Sequence, residues 1–367
     1  MSYQPGSGKY YRGNRSVWIA AVLLIAGIKI FTADQIWVEH LYSSGIYLSF
    51  SALLRVVFGW IPFSVGDILY FLAGCWITWK IARNLQLLYR RKITRRSALA
   101  KLLRVVLLFC FIYILFYLFW GINYDRKGIA WQLQITPQQY DSADLLSLQA
   151  LLLKKVNTAK MALIRNKEKY PSTKELIEGA QRSYAQAHKE FPFLDYRHIS
   201  VKRSLYGTLG DYLDFTGYYN PFTGEAQINT TVPKMLLPYV TTHEIAHQLG
   251  YAKENEANFV GYLAAVRSPD TLFHYSAYLD LFLYTNREVY YMDSDCSKKA
   301  LMQLILPVRA DLKALRKFDL DHQSVFEPLT TWLYNNYLKL NNQPKGLSSY
   351  NAVVGMLIAY YKKYGKI

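Results

Sequence analysis

The chain has 367 residues, 52% of them apolar and 16% aromatic, which is rich for a soluble protein and long enough for one or two domains. Its formal charge of +17 would suit a nucleic-acid partner, but residues 1–124 carry 14 Lys and Arg against three acidic residues, and residues 125–367 carry 29 against 23. Most of the basic excess therefore lies between hydrophobic segments rather than on a separate basic domain, so membrane lipid is the expected partner and nucleic acid is not.

Three stretches are expected to cross a bilayer. Residues 17–33 are apolar except for Lys29, which sits near the end and can snorkel, and they follow Lys9, Arg12 and Arg15. A cleaved signal peptide is the alternative for this segment. The second stretch, about 64–82, is apolar only from Ile68 to Trp79, so a re-entrant or interfacial segment competes with a span. The third, 105–124, is 20 residues without a charge, matching the thickness of a hydrocarbon core. Between the second and third lie nine basic residues and no acidic one over 80–104, which predicts a cytoplasmic loop and places everything after Tyr124 on the extracytoplasmic side. Residues 34–67, with Trp37, Tyr42, Tyr47 and Trp60 as anchors, read as a cap or amphipathic helix lying on the outer interface.

Beyond the third span, Ser142–Asn166 repeats leucines near helical period, and Ser172 with Glu175 forms a capping box for a second helix running to about Lys189. Residues 202–231 change character: glycines at 207, 210, 217 and 224 and the Asn220-Pro221-Phe222-Thr223-Gly224 turn predict a small antiparallel sheet. Next comes Thr241-Thr242-His243-Glu244-Ile245-Ala246-His247-Gln248-Leu249-Gly250. Two histidines four apart stand one turn above each other on a helix, so both imidazoles reach one metal ion, for which zinc is the natural choice. Glu244 lies on the flank of that face, placed to take a proton from a water activated by the metal. Gly250 is a natural helix terminus. A catalytic zinc needs a third protein ligand, and Glu254 and Glu256 are the nearby carboxylates.

His243-Glu244-x-x-His247 followed by Glu254-x-x-Ala257-Asn258 resembles the gluzincin metallopeptidases, whose third ligand is the glutamate of an E-x-x-A-D or E-x-x-A-N run. The resemblance implies Glu254 as that ligand and Asn258 as a residue steadying a ligand histidine. The gap between His247 and Glu254 is shorter than is usual there, which keeps Glu256 in competition. It also implies an edge strand holding the substrate peptide in extended form, a place that Gly224–Asn229 occupies here, with an ordinary hairpin as the other reading. A tyrosine donating to the developing oxyanion would be Tyr218, Tyr219, Tyr284 or Tyr350. The run Tyr218 to Ala264 resembles most closely an uncharacterised family of bacterial membrane proteins, a resemblance that extends over nearly the whole chain.

After the motif, Ser268-Pro269-Asp270 opens a helix running toward Tyr290, on which His274 reads as a packed or surface residue rather than a ligand, and three more helices are expected near Ser297–Phe318, His322–Asn341 and Ser348–Tyr364. Cys75 and Cys110 fall inside the spans and Cys296 stands alone, so the outer domain has no internal disulfide. The expected architecture is mainly α: a three-helix transmembrane region (1–124), then an extracytoplasmic α+β zincin-like domain (125–367) with a helical C-terminal half. The expected function is a bacterial inner-membrane zinc metallopeptidase, with His243, His247 and Glu254 on Zn2+, Glu244 as base, and a peptide or protein substrate at the periplasmic face. A non-catalytic anchored scaffold with a structural or vestigial metal is the alternative. Lys253, Glu254 and Glu256 so close to the motif argue against an intramembrane protease.

Overall fold

The computed structural model describes residues 9–92, 94–137, 140–325, 327–341, 343 and 352–367. The chain is mainly helical with one small sheet. Helix α1 (Lys9–Thr32) is followed by α2 (Gln35–Trp37), a π-helical run (Val38–Ile46) and α3 (Tyr47–Gly59), the last three forming one almost unbroken rod. Then come α4 (Val65–Tyr89) and α5 (Arg95–Phe119). Four stretches among the described residues, not three, are long and apolar enough to cross a membrane: Arg15–Thr32, Gln35–Gly59, α4 and α5.

The basic stretch 80–104 is not a loop. Its Leu, Ala, Lys and Arg favour helix, so α4 runs on to Tyr89 and α5 starts at Arg95 behind a reciprocal Thr94–Ser97 capping box. At its other end α5 stops before residue 124. Gly121 lies against Phe116 and Tyr117, where a Cβ would come within 2.8 Å of a ring, and the chain tightens into a 3-10 turn, Gly121–Asp125.

The rod from Gln35 to Gly59 has two unlike faces. One is bound to the rest of the protein along its whole length. Glu39 pairs with Arg126 at 2.7 Å with both side chains buried, Tyr47 reaches the carbonyls of His247 and Gln248, and Arg55 donates to the carbonyls of Arg197, His198 and Gln248. The opposite face, with Ile36, Trp37, Leu41, Ile46, Leu53, Val56 and Val57, is exposed, as is Trp60 just beyond it. Tyr42 and Tyr47, expected as interfacial anchors, are buried; Trp37 and Trp60 are exposed as expected.

Helices α6 (Gly128–Gln132), α7 (Ser142–Arg165) and α8 (Thr173–Glu190) follow, the last behind the expected Ser172–Glu175 capping box. Strand β1 (Val201–Arg203), helix α9 (Gly207–Leu213), and strands β2 (Gly217–Asn220) and β3 (Glu225–Ile228) build a sheet of order β1-β3-β2. It is mixed rather than antiparallel: β1 and β3 run parallel because α9 intervenes as a crossover, and only the tight turn after Asn220 gives an antiparallel pair. The middle strand is β3, so the segment 224–229 is not an edge; β2 is.

Beyond the sheet stand α10 (Leu237–Gln248), α11 (Glu254–Ala265), α12 (Thr271–Met292), α13 (Ser294–Gln303), α14 (Leu306–Asp321), α15 (Glu327–Leu340) and α16 (Ala352–Tyr364). Asp270 caps α12 as expected. The single helix expected over Ser297–Phe318 is two, broken at Leu304–Ile305, with Pro307 in the first turn of the second where its missing amide costs nothing.

Two apolar cores result. One joins Ile28 of α1, Tyr47, Ile114, Trp120 and Tyr124 to Ala252; the other gathers the faces of α7, α8, α10, α11, α12 and α16. Ala252, in the turn after α10, belongs to the first core, while Ile245 and Ala257 on either side belong to the second.

Candidate metal centre

Helix α10 packs between the sheet and α11, and its end is shaped by Gly250 at a φ of +83°. The Gly250 amide donates to the His247 carbonyl at 3.0 Å and the Tyr251 amide to the Ala246 carbonyl at 3.1 Å, the paired bonds of a Schellman turn. The chain reverses there, and α11 returns along α10. Gly261 permits the close approach: a Cβ at that position would lie 3.0 Å from the His243 backbone nitrogen.

This turn brings three expected residues together. Oε2 of Glu254 lies 3.3 Å from Nε2 of His243 and 3.6 Å from Nε2 of His247. One donor atom from each of the three falls within 4.8 Å of the others. Ligands about 2.1 Å from a tetrahedral zinc are separated by roughly 3.4 Å, so the two histidine–carboxylate distances fit that ion. The tautomer fits as well. Nδ1 of His247 donates to the Tyr251 carbonyl at 2.8 Å, which leaves the Nε2 lone pair directed at the cluster. Nδ1 of His243 is buried without a partner.

Glu256 points elsewhere. Its carboxylate lies over Gly128, where a Cβ would clash with it, and one oxygen sits 3.6 Å from Lys253 Nζ. Residues 254 and 256 are two apart on a helix and so face different directions, which separates Glu254, the expected ligand, from its competitor Glu256. Asn258 pairs with Tyr284 rather than with a ligand histidine, and the Tyr251 carbonyl holds His247 in its place.

Charge in the cluster follows burial and proximity. Burial opposes a charge on His247, but Glu254 outweighs it and pushes the imidazole up to about 9. Burial likewise works against the Glu254 carboxylate, yet His247 and His243 hold it well below the usual carboxylate range. Glu244 is pushed up to about 7 by burial, with the two histidines opposing and Glu254 reinforcing. Its Oε2 is buried with no hydrogen-bond partner, and its Oε1 lies where a Cβ on Gly217 of β2 would collide with it. A carboxyl near neutrality with an unused oxygen is placed to accept and return a proton.

The other elements around the cluster were only partly legible beforehand. Trp120, at the end of α5, donates its indole N–H to the His247 carbonyl at 3.2 Å. Tyr334 of α15 donates to Glu254 Oε1 at 3.0 Å, and the Gln343 side-chain oxygen accepts from the Glu254 amide at 3.1 Å. Tyr334 is one of 32 tyrosines and lies 80 residues beyond its partner, so nothing in the sequence singled it out. Of the four expected oxyanion tyrosines, Tyr218 bonds Asp67 at 2.5 Å and Ser204 at 3.0 Å, Tyr219 shares a bond with Tyr47, Tyr284 contacts Asn258, and Tyr350 lies outside the described residues. His274 bonds the Ser268 carbonyl, a packing role.

Over residues 42–358 the chain matches the family described as a protein of unknown function, DUF3810, and it belongs to that family. No curated protein and no solved structure matches it.

Proposed function

Because that family carries no assigned chemistry, we propose from the site itself that the protein is a membrane-anchored zinc-dependent metallopeptidase, hydrolysing peptide bonds of a polypeptide on the extracytoplasmic side. The observation that carries this reading is the convergence of His243, His247 and Glu254 within 4.8 Å of one another, with both histidine–carboxylate distances suited to a tetrahedral ion, beside a buried glutamate with a free oxygen. Zinc held by these three residues supplies a Lewis acid that polarises a carbonyl and makes water a nucleophile near neutral pH.

The chain's own groups do the rest. Glu244 takes the proton of the attacking water on its unpaired oxygen and passes it to the departing amine; a carboxyl pushed up by burial to about 7 in the metal-free site suits both transfers. Gly217 keeps β2 close to Glu244 without a side chain in the way. The Thr216 carbonyl accepts from the Asn229 amide, which marks that pair as bonded, so alternation along the antiparallel ladder turns the amides and carbonyls of Gly217 and Tyr219 to the open edge. An extended peptide gains backbone bonds there with little side-chain selection.

Sidedness follows from charge. The end of α4 at Tyr89 and the start of α5 at Arg95 both carry the basic residues, so this pair of ends stays in the cytoplasm and the opposite ends of both helices, with all that follows, lie outside. Glu244→Gln is the decisive variant: it is expected to fold and to retain one zinc per chain while losing cleavage, and undiminished cleavage would remove Glu244 from the mechanism. An anchored scaffold with a structural metal would instead show a closed four-ligand site by X-ray absorption spectroscopy.

A further inference from the structure

Building on the peptidase reading, we infer that the substrate is itself anchored in the bilayer, and that it is cut within a few residues of the point where it leaves the lipid. The argument is one of depth. The rod Gln35–Gly59 puts Tyr47 against the carbonyls of His247 at 3.4 Å and Gln248 at 3.2 Å, while its opposite face is a run of exposed apolar side chains ending in Trp60, which is 79% exposed. A rod with charges fastened to the folded domain at Glu39 and Arg55, 16 residues apart in sequence, lies along that domain and does not pass away from it through the bilayer. Its apolar face and its two tryptophans then rest in the outer leaflet. One helix diameter, about 10 Å, is all that separates the metal helix from hydrocarbon.

The open strand edge is tied to the same boundary. Tyr218 bonds Asp67 in the first turn of α4, Tyr219 bonds Tyr47 at 3.3 Å, and the Tyr219 ring lies 5.4 Å from that of Trp120 at the end of α5. Glu225 of β3 accepts the Val65 and Gly66 amides at the start of α4, so the sheet stands directly on the membrane helices. A peptide laid along β2 is already at the lipid surface. An extended chain covers about 3.3 Å per residue, so roughly three residues bridge 10 Å. A soluble chain must find this low strand edge by diffusion, whereas a span in the same bilayer delivers its first outer residues to it at high effective concentration.

The full chain, loaded with zinc and reconstituted in phosphatidylcholine vesicles, is offered two probes. One is a 20-residue Leu-Ala span followed by roughly 30 degenerate residues on the side of the metal domain; the other is the same degenerate segment without the span. Mass spectrometry is expected to find the tethered probe cut mainly within about five residues of its span, and faster than the free one by on the order of 100-fold, with Glu244→Gln cutting neither. Equal rates for the two probes, or cuts spread evenly along the tethered segment, would overturn this inference and leave the peptidase reading intact. Cleavage of neither probe by the native chain would remove both. Depth has a readout free of activity: brominated phosphatidylcholine should quench fluorescence that the Trp37→Phe, Trp60→Phe double variant lacks, and a quenched fraction unchanged in that variant also overturns the inference.

Discussion

Tyr334→Phe tests how the third ligand is held. The phenol donates to Oε1 of Glu254 at 3.0 Å while Oε2 faces His243 and His247, so the carboxylate is gripped from both sides in a site only 7% exposed. Removing the hydroxyl leaves a buried anionic oxygen without that donor. Hydrogen bonds to charged groups contribute about 1.5–3 kcal/mol, and each 1.4 kcal/mol is about tenfold, so zinc affinity should fall roughly 10- to 100-fold. Tyr337→Phe, on the same helix as Tyr334, loses a bond to Tyr124 in the turn Gly121–Asp125 but no bond to a ligand, and should leave affinity within about twofold. Competition against a chromophoric chelator measures both. Equal affinity for the Tyr334 variant and the native chain would show that Glu254 needs no support from α15, or that it is not a ligand.

Other outcomes follow from the same geometry. With His247 pushed up to about 9 in the metal-free site, zinc should expel close to one proton on binding at about pH 7 and almost none above about pH 10, read from the buffer dependence of the calorimetric enthalpy. The sign for folding is opposite: without metal, the raised imidazole stabilises fully below its ordinary 6.5, and that contribution disappears as pH rises through about 9, so the metal-free melting temperature should drop across this window. Glu39→Gln, which strands Arg126 in a buried site, should cost about 3–5 kcal/mol in reversible unfolding, while the double change Glu39→Met, Arg126→Met should recover much of it. Gly261→Ala forces α11 away from His243 and should destabilise by about 1–3 kcal/mol and weaken zinc binding.

What was legible in the sequence was what is local. The His243–His247 spacing, the Ser172–Glu175 cap and the helix end at Gly250 are each decided within a few residues, and each stands in the structure as read. Motif register favoured Glu254 over Glu256 without excluding the latter, because the choice depends on how far the turn after Gly250 rotates α11. The identity of the edge strand depended on where β1 inserts, some 25 residues upstream of its partner β3. The rod 35–59 was legible as amphipathic, but its length and apolar content also pass for a span, and the long-range bonds of Glu39, Tyr47 and Arg55 that tie one face of it to the rest of the chain could not be read from spacing.

Those bonds impose an order on assembly. Glu39, Arg55 and Asp67 leave the ribosome well before the groups that receive them: Arg126, the carbonyls around residue 198, the Leu205 amide and the Tyr218 hydroxyl. Until the later half of the chain has folded back, three ionic side chains lack the partners that bury them. A truncated or stalled product thus displays the very charges that the finished protein conceals.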